Sequence, residues 1–492
     1  MRSLMQGDQG MMSASICRGL GVAWIFAITF ATANAQPPQL PPLPDGNREL
    51  GVTLSMSDLP RDEPPAASQE KGGASDPAVP ATGEDNSEAA GEYAADDSVQ
   101  FAAAYRSAPS AASRWPEVRL TGFFQADAAW FSQSALNRTA VGDIQDGADF
   151  RRARLAGTGK AWDNVAYMLE MDFAFPGRPS FMDVWLEVED APLGGKLRVG
   201  QYRQPFGMDG QTGVKDLTFI ERSLPFAFLP FRQIGAMLHG QALDDEVTWA
   251  ISGFRFPTDV YGGNVGDDGG YGLATRTTGL LIDRHHGSVL MHVGSGFSYI
   301  DPANDQFRYS SQPEVFVQEV GGGVPPGVPG VVPPFVDTGT LTADNARLFN
   351  AELATVLGSL HTQTELFYAQ VDQSGGPMVT LPGVSTQIGY FLTGEVRPYD
   401  HAAGVFGRIQ PLCSVGRQGG LGAVEIAARY SYLDFNDQNI LGGRLNNWTA
   451  GVNWYLNPHT KFQLNYIYSD LNTPGLGRNR ADTVVTRAQL DF

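Results

Sequence analysis

The sequence predicts an all-β protein, a transmembrane antiparallel β-barrel of about 16 strands that follows a disordered N-terminal extension. Three observations predict this fold class. Beyond the N-terminal extension, apolar and polar residues alternate in short segments that are rich in aromatic side chains. The connections between these segments are alternately short and long. The final segment alternates up to Phe492, with Val484 and Leu490 on one face and Arg487 and Gln489 on the other.

The first 35 residues have the composition of a secretory signal. Arg18 precedes the apolar stretch Gly19 to Phe30, and Ala33 and Ala35 provide the small residues of a cleavage site. About a dozen apolar residues are too few for a transmembrane helix, which needs roughly 20. We therefore expect residues 1–35 to be a signal peptide that directs export.

Residues 36–115 are expected to be a disordered linker in the periplasm. They hold thirteen Asp and Glu against five Lys and Arg, with few branched apolar side chains. Such a segment cannot bury enough apolar surface to offset the entropy of ordering. A solvated spacer is the simpler interpretation, and a tether to the cell wall or to a partner is the alternative.

Residues 116–492 divide into strand candidates whose two faces differ in polarity. In one of them Trp448, Val452 and Trp454 share one face, and Thr449 and Asn453 share the other. In a membrane barrel the apolar face meets lipid and the polar face lines an aqueous lumen. The candidates are residues 117–132, 148–160, 163–175, 180–189, 194–203, 232–243, 246–257, 269–283, 287–300, 343–357, 360–372, 384–396, 422–433, 444–457, 460–471 and 482–492.

The connections test this interpretation independently, because periplasmic turns should be short and external loops long. The alternation fails once: residues 397–421 should form a short turn, yet they span 25 residues. Either that turn is elaborated or the strand count is wrong there. Residues 301–342 are expected to form a flexible external flap without chemistry. The other long connections are 133–147, 204–231, 258–268, 373–383, 434–443 and 472–481.

Several motifs follow one another along the whole barrel region: Phe150–Leu155, Leu197–Gly207, Leu217–Pro225, Tyr390–Asp400, Ala427–Asp434, Gly442–Trp448 and Asn453–Pro458. In sequence and order they resemble the phosphate-selective porin O and P family. The resemblance implies a sixteen-stranded homotrimeric porin that passes small anions, phosphate among them. It also implies that the third external loop folds into the lumen.

Basic residues provide the candidate anion pathway. Strict alternation places Arg152 and Arg154 on the face of Phe150, and a guanidinium that faces lipid at mid-membrane costs about 2–4 kcal/mol. We therefore expect these arginines in the lumen, where guanidiniums attract anions and bind oxyanions through two N–H groups. The alternative is that each pairs with a luminal acid, such as Asp127, Glu352, Glu365 or Glu425, and stiffens the wall. The candidates are Arg119, Arg152, Arg154, Arg203, Lys215, Arg222, Arg232, Arg276, Arg429 and Arg487.

The segment 204–231 is the candidate constriction. It carries Lys215 and Arg222, with Arg203 and Arg232 at its two ends. Its prolines and phenylalanines are too apolar for a loop in water, so we expect it to fold against the inner wall. A loop packed on the surface or a trimer contact is the alternative.

The charge balance limits a phosphate assignment. The chain has a net charge of −19, and its barrel region has only four lysines, Lys160, Lys196, Lys215 and Lys461. The family resemblance implies basic ladders that include lysines. We expect a porin for passive diffusion of small anionic solutes, with phosphate or polyphosphate as candidates. A weakly selective general diffusion porin and an envelope-anchoring barrel are the alternatives.

No enzyme activity, metal or cofactor is expected, because the seven histidines have no nucleophile or metal-binding motif beside them. No nucleic acid is expected as a partner. The expected partners are outer-membrane lipid, small anions, further copies in a homotrimer, and the barrel-assembly machinery, which would recognise the strand that ends at Phe492. The expected location is the outer membrane of a Gram-negative-type bacterium, with the N-terminal tail in the periplasm.

Overall fold

The computed structural model describes residues 115–174, 179–259, 261–266, 268–317, 331–416 and 419–492. The predicted signal peptide, and all but the last residue of the predicted linker, lie outside the described residues, so both stay predictions. Among the residues that the structure describes, no helix is both long and apolar enough to span a membrane.

Sixteen antiparallel strands form one closed barrel, which confirms the predicted fold class and strand count. Each strand pairs with the next one, and β16 pairs with β1. Closure pairs the backbone groups without leaving a sheet edge in lipid. The strands are β1 Arg119–Gln133, β2 Gly147–Trp162, β3 Val165–Asp172, β4 Ser180–Ala191, β5 Gly195–Arg203, β6 Arg232–Ala242, β7 Val247–Arg255, β8 Tyr271–Arg284, β9 Val289–Asp301, β10 Leu341–Leu357, β11 Leu360–Gln373, β12 Val379–Phe391, β13 Ala423–Asp437, β14 Ile440–Asn457, β15 Thr460–Thr473 and β16 Gly477–Asp491.

The two faces of the strands differ as predicted. On β14, Trp448 is 58% exposed on the outer face, whereas Thr449 and Asn453 are buried on the inner face. At the closing seam, Phe492 donates its N–H to the carbonyl of Gly122 at 3.0 Å and accepts the N–H of Gly122 at 3.1 Å. A Cβ on Gly122 would lie 2.5 Å from the carbonyl oxygen of Arg154 on β2 and 2.9 Å from the Phe492 ring, so glycine fits best between these two neighbours.

Three predicted loops are much shorter than expected, because their strands continue past the predicted ends. The connection after β13 is residues 438–439, that after β15 is residues 474–476, and that after β11 is residues 374–378. The predicted loops 434–443, 472–481 and 373–383 were wrong in length. At these strand ends the inner-face residues Phe435, Leu471 and Val379 are apolar and buried, so the inner face is no longer polar and polarity alone does not mark the strand end.

An irregularity in β2 corrects one prediction about the arginines. Arg152 stands opposite Gln125 but Phe150 stands opposite Ala126, so Arg151 is an extra residue between them. Such a bulge reverses the alternation. Phe150 is 64% exposed on the outer face, whereas Arg152 is 4% exposed inside. The prediction that Arg152 and Arg154 share a face with Phe150 was wrong, although both arginines do lie in the lumen.

The segment 204–231, called the inward loop below, folds into the lumen as predicted. The loop contains one helical turn, α2 Met208–Gln211. The other short helix, α1 Ala135–Val141, lies in the connection between β1 and β2. Two 3₁₀ turns follow α2, Val214–Asp216 and Leu224–Phe228. The apolar side chains Phe206, Met208, Phe219, Ile220, Leu224 and Phe228 are all fully buried.

Residues 392–422, called the inner turn, explain the long connection at 397–421. The strand count is correct and the turn is elaborated. A small hairpin pairs Tyr399–Asp400 with Val405–Phe406, and Phe406 packs with Met208 of the inward loop. Arg276 of β8 donates to the carbonyl of Ala403 at 3.0 Å. The hairpin therefore stands inside the barrel.

The described part of residues 302–340, called the second loop, contradicts the expectation of a flap without chemistry. Residues 314–317 are packed inward, and Val315 and Val317 are fully buried. Glu314 accepts a hydrogen bond from the backbone N–H of Leu224 in the inward loop at 3.0 Å. This loop therefore reaches the inner wall, and Pro-rich composition alone gave no indication of that.

Candidate functional site

Glu221, near the middle of the inward loop, is the centre of an ionic cluster. Its carboxylate accepts from Arg151 Nε at 3.0 Å, from Arg152 Nη2 at 2.9 Å and from Arg487 Nη2 at 2.7 Å. Arg487 also binds both oxygens of Asp127, at 2.7 and 2.6 Å. Burial alone would raise the pKa of Glu221, but the three guanidiniums outweigh it and hold that pKa well below its usual range.

A second ionic group lies on strands β2, β3, β4 and β6. Arg154 Nε donates to Asp172 at 2.8 Å. Arg232 binds Asp183 with Nε at 2.9 Å and Nη2 at 3.3 Å. Arg203, at the start of the inward loop, lies 4.0 Å from Asp183. Each guanidinium has a carboxylate partner, as the alternative of wall stiffening predicts.

Arg203 and Arg222 also hold the inward loop in shape. Arg203 Nη1 donates to the carbonyls of Gln211 and Thr212 at 2.7 and 2.9 Å. Arg222 donates to the carbonyls of Asp209 and Thr212, both at 2.7 Å. These carbonyls lie at or just after helix α2, where the carbonyl groups lack partners within the helix and carry partial negative charge.

The remaining predicted residues lie elsewhere. Arg429 Nη2 binds Glu314 at 2.7 Å, and Arg276 binds both oxygens of Glu352 at 2.9 and 2.7 Å. Lys215 is half-buried beside Asp216 at 3.4 Å. Arg119 begins β1 and is exposed. The structure thus brings Arg152 and Arg487 together through Glu221, and places Arg276 and Arg119 apart from them.

A cavity of about 460 Å³ lies between the inward loop, the second loop and strands β2 to β6. Arg151, Arg152, Arg154, Arg222 and Arg232 all line it. The inner wall here has many guanidiniums, yet the acids bound to them reduce the net charge. Among the residues that the structure describes, no group of His, Cys, Asp or Glu is arranged to hold a metal ion.

The sequence prediction missed three members of this site. Arg151 was not among the candidates, and the bulge turns it inward. Glu221 was seen in the inward loop without a role. Glu314 was assigned to a flap. One signal was available for Glu314: it precedes Val315, Phe316 and Val317, an apolar run inside a Gly- and Pro-rich segment.

Comparison with known proteins identifies the family. The family model described as "Phosphate-selective porin O and P" matches residues 118–492. The chain belongs to this family. It is therefore a porin, a channel of the outer membrane and not an enzyme. The resemblance inferred from the seven motifs is confirmed.

Two relatives show how far this porin has diverged. Porin O of Pseudomonas aeruginosa is 23% identical over 397 residues, which are 76% of this chain and 88% of that protein. An uncharacterized protein of Caulobacter vibrioides is 27% identical over 362 residues, 70% of this chain and 68% of that one. Among solved structures, an anion-selective porin from Comamonas acidovorans has a TM-score of 0.47 and 13% identity, covering 76% of this chain and 99% of its own.

Proposed function

We propose that this porin carries small anions by passive diffusion through its lumen, with a selectivity set by the arginines around the inward loop. The observation that supports the proposal most is the group around Glu221. Three guanidiniums, those of Arg151, Arg152 and Arg487, meet two carboxylates, those of Glu221 and Asp127. Guanidiniums gathered in a narrow space of low dielectric attract anions and repel cations.

Phosphate and polyphosphate are candidate solutes because of the family name and the Porin O relative. The chain itself gives them less support, since only Lys160, Lys196, Lys215 and Lys461 represent lysine in its barrel region. Inorganic phosphate is therefore one member of the proposed class of small anions rather than the defining solute.

A weakly selective general diffusion porin is the second candidate. It is favoured by the carboxylate partners of Arg154, Arg232, Arg276 and Arg429, which neutralise most of the luminal charge. The two candidates differ in the size of the anion preference and not in the transport mechanism.

Reversal potentials across planar bilayers test the proposal. In a KCl gradient, the proposal requires a reversal potential with the sign of the chloride equilibrium potential. A reversal potential of the opposite sign, which indicates a cation preference, would overturn it. Arg152→Gln should move the potential toward zero. Arg308→Gln, which removes the same charge from the exposed ion pair with Asp337, is the matched control and should leave the potential unchanged. A potential near zero in the unmodified protein would favour the general diffusion porin.

We also propose a homotrimer in outer-membrane lipid, with assembly through the closing strand that ends at Phe492 and with an N-terminal tail in the periplasm. β1 begins and β16 ends at the same rim of the barrel, where Phe123 stands opposite Asp491, so a tail in the periplasm would place Phe492 on the periplasmic side. Sedimentation of the detergent-solubilised protein would test the trimer. Deletion of residues 36–115 would test envelope anchoring. If the tail is an anchor, the deleted protein should no longer pull down cell-wall material, and its conductance should be unchanged.

A further inference from the structure

One side of the 460 Å³ cavity is apolar although it lies in the lumen. Phe226 and Phe231 of the inward loop and Phe316 of the second loop line this part of the wall, next to the arginines. These three rings are half-buried, whereas Leu224 and Phe228 of the same 3₁₀ turn are fully buried in the hydrophobic core. The three half-buried rings are not part of that core.

The rings and the guanidiniums alternate around this cavity. Arg151 lies over the ring of Phe316 at 4.8 Å. Arg222 lies 5.0 Å from the ring of Phe226 and 5.1 Å from that of Phe231. A planar guanidinium against an aromatic face directs its edge N–H groups sideways, and those of Arg222 bind the backbone carbonyls of Asp209 and Thr212.

The backbone is strained at the same place. Phe231 has φ of +49°, a left-handed conformation that side chains rarely adopt. Such a conformation costs about 1–3 kcal/mol and is concentrated at functional sites. It presents the Phe231 ring edge-on to Phe226, with ring centroids 4.7 Å apart. The chain thus maintains an aromatic pair on the wall of the cavity.

The volume and the mixed aromatic and cationic lining do not match an inorganic oxyanion. Pockets for organic ligands typically have about 300–1,000 Å³, mostly apolar walls and a few polar groups that fix orientation. A tetrahedral oxyanion would contact the arginines but leave the phenylalanines against water. An anion with an apolar body satisfies both sides, with its carboxylate on the arginines and its body against the rings.

We infer that this cavity is a binding site for small aromatic carboxylates, which pass through the porin in preference to aliphatic or inorganic anions. The inference rests on the proposed function and names its solute class. Arg154 and Arg232 are the groups on which the carboxylate would bind. A guanidinium has five N–H donors, and the bonds of these two to Asp172 and Asp183 use only part of them. Glu170 lies farther away, 3.6 Å from Arg154 and 3.8 Å from Arg232.

Single-channel recording tests the inference with three probes. Benzoate, acetate and inorganic phosphate are added in turn to a chloride solution, and the concentration that reduces the chloride current by half is measured for each. Benzoate should act at a concentration about tenfold below that of acetate and phosphate, because a phenyl ring buries apolar surface that the other two lack. Equal concentrations for benzoate and acetate, or a lower one for phosphate, would overturn the inference.

Variants identify the site. Phe226→Ala and Phe316→Ala should each reduce the benzoate-to-acetate preference by about two- to tenfold, the range of an aromatic contact. Phe349→Ala is the matched control, because Phe349 is exposed on the outer face of β10, and it should retain the preference. Loss of preference in the control alone would overturn the assignment.

The same recordings separate the two proposals. A cation preference in the KCl gradient contradicts the proposed function and the inference together. An anion preference without discrimination between benzoate and acetate contradicts the inference alone. Heat-resistant migration on gels verifies that each variant is a folded barrel before it is recorded.

Discussion

Arg152 of strand β2 and Glu221 of the inward loop form a two-point ion pair, with Nη2 to Oε2 at 2.9 Å and Nη1 to Oε1 at 3.1 Å. Both side chains are almost completely buried. The pair fastens the loop to the wall and places a carboxylate among three guanidiniums. Glu221 therefore has two effects, one on loop position and one on the field in the lumen, and these effects can be separated.

Removing the charge of Glu221 should increase the preference for anions. In Glu221→Gln, Arg151, Arg152 and Arg487 keep their charges and lose the carboxylate that all three share. One unit charge about 10 Å from a permeating ion contributes about 1.7 kcal/mol at an effective dielectric constant near 20, before salt screens it. The anion-to-cation permeability ratio should therefore rise by about three- to tenfold at low salt, measured from reversal potentials.

Asp470→Asn is the control for this substitution. Asp470 lies at the loop end of β15 and pairs with the exposed Arg478 at 2.6 Å, so its removal deletes the same charge far from the inward loop. The anion-to-cation permeability ratio should hardly change in Asp470→Asn. An unchanged ratio in a folded Glu221→Gln protein would mean that ions pass at a distance from this cluster.

The difference in anion-to-cation permeability ratio between wild type and Glu221→Gln should persist into acidic solution. The pKa of Glu221 is well below its usual range, because the three guanidiniums outweigh the effect of burial. A lowered pKa means that the stabilisation by this carboxylate is complete above the ordinary value, about 4.3, and is lost only as the pH falls through the lower folded value. The two permeability ratios should stay apart from pH 7 to about pH 4 and converge only below it. Convergence near pH 5 would contradict this environment for Glu221.

The ion pair between Glu314 and Arg429 should be strongly coupled. Glu314 lies in the second loop, and Arg429 lies on β13 with Nη2 at 2.7 Å. Breaking a buried pair from one side leaves an uncompensated charge and costs about 3–5 kcal/mol. Glu314→Gln and Arg429→Met should each lower the unfolding temperature markedly, and the double variant should lose much less than the sum. Calorimetry in detergent measures the unfolding temperatures of this double-mutant cycle.

Asp337→Asn and Arg308→Met, which remove an exposed pair, are the control and should cost no more than about 1 kcal/mol. Additive losses for Glu314 and Arg429 would show that the two side chains do not act together.

The sequence was sufficient for the wall of the barrel but not for its contents. Alternation predicted all sixteen strands and sent Arg276, Arg429 and Arg487 to the inner face, because lipid penalises a misplaced charge at every position of a strand. It could not detect the bulge at Arg151, since one inserted residue changes no composition. It could not pair Arg152 with Glu221 either, because those partners are 69 residues apart and only the folded inward loop brings them together.

The hairpin of the inner turn should limit the conductance, because it occupies part of the lumen. Val405 and Phe406 are buried against Met208 of the inward loop, and Arg276 donates to the carbonyl of Gly404 at 2.8 Å. This packing places a hairpin where water would otherwise fill the lumen. Replacing residues 398–407 with a short Gly-Ser linker should therefore raise the single-channel conductance, about twofold if the hairpin and the inward loop obstruct the lumen equally. Shortening the exposed loop 474–476 is the control and should leave the conductance unchanged. If the conductance stays the same after the hairpin is removed, the inward loop alone forms the narrowest point of the lumen. The residues around Glu221 would then be the ones that determine which ions pass.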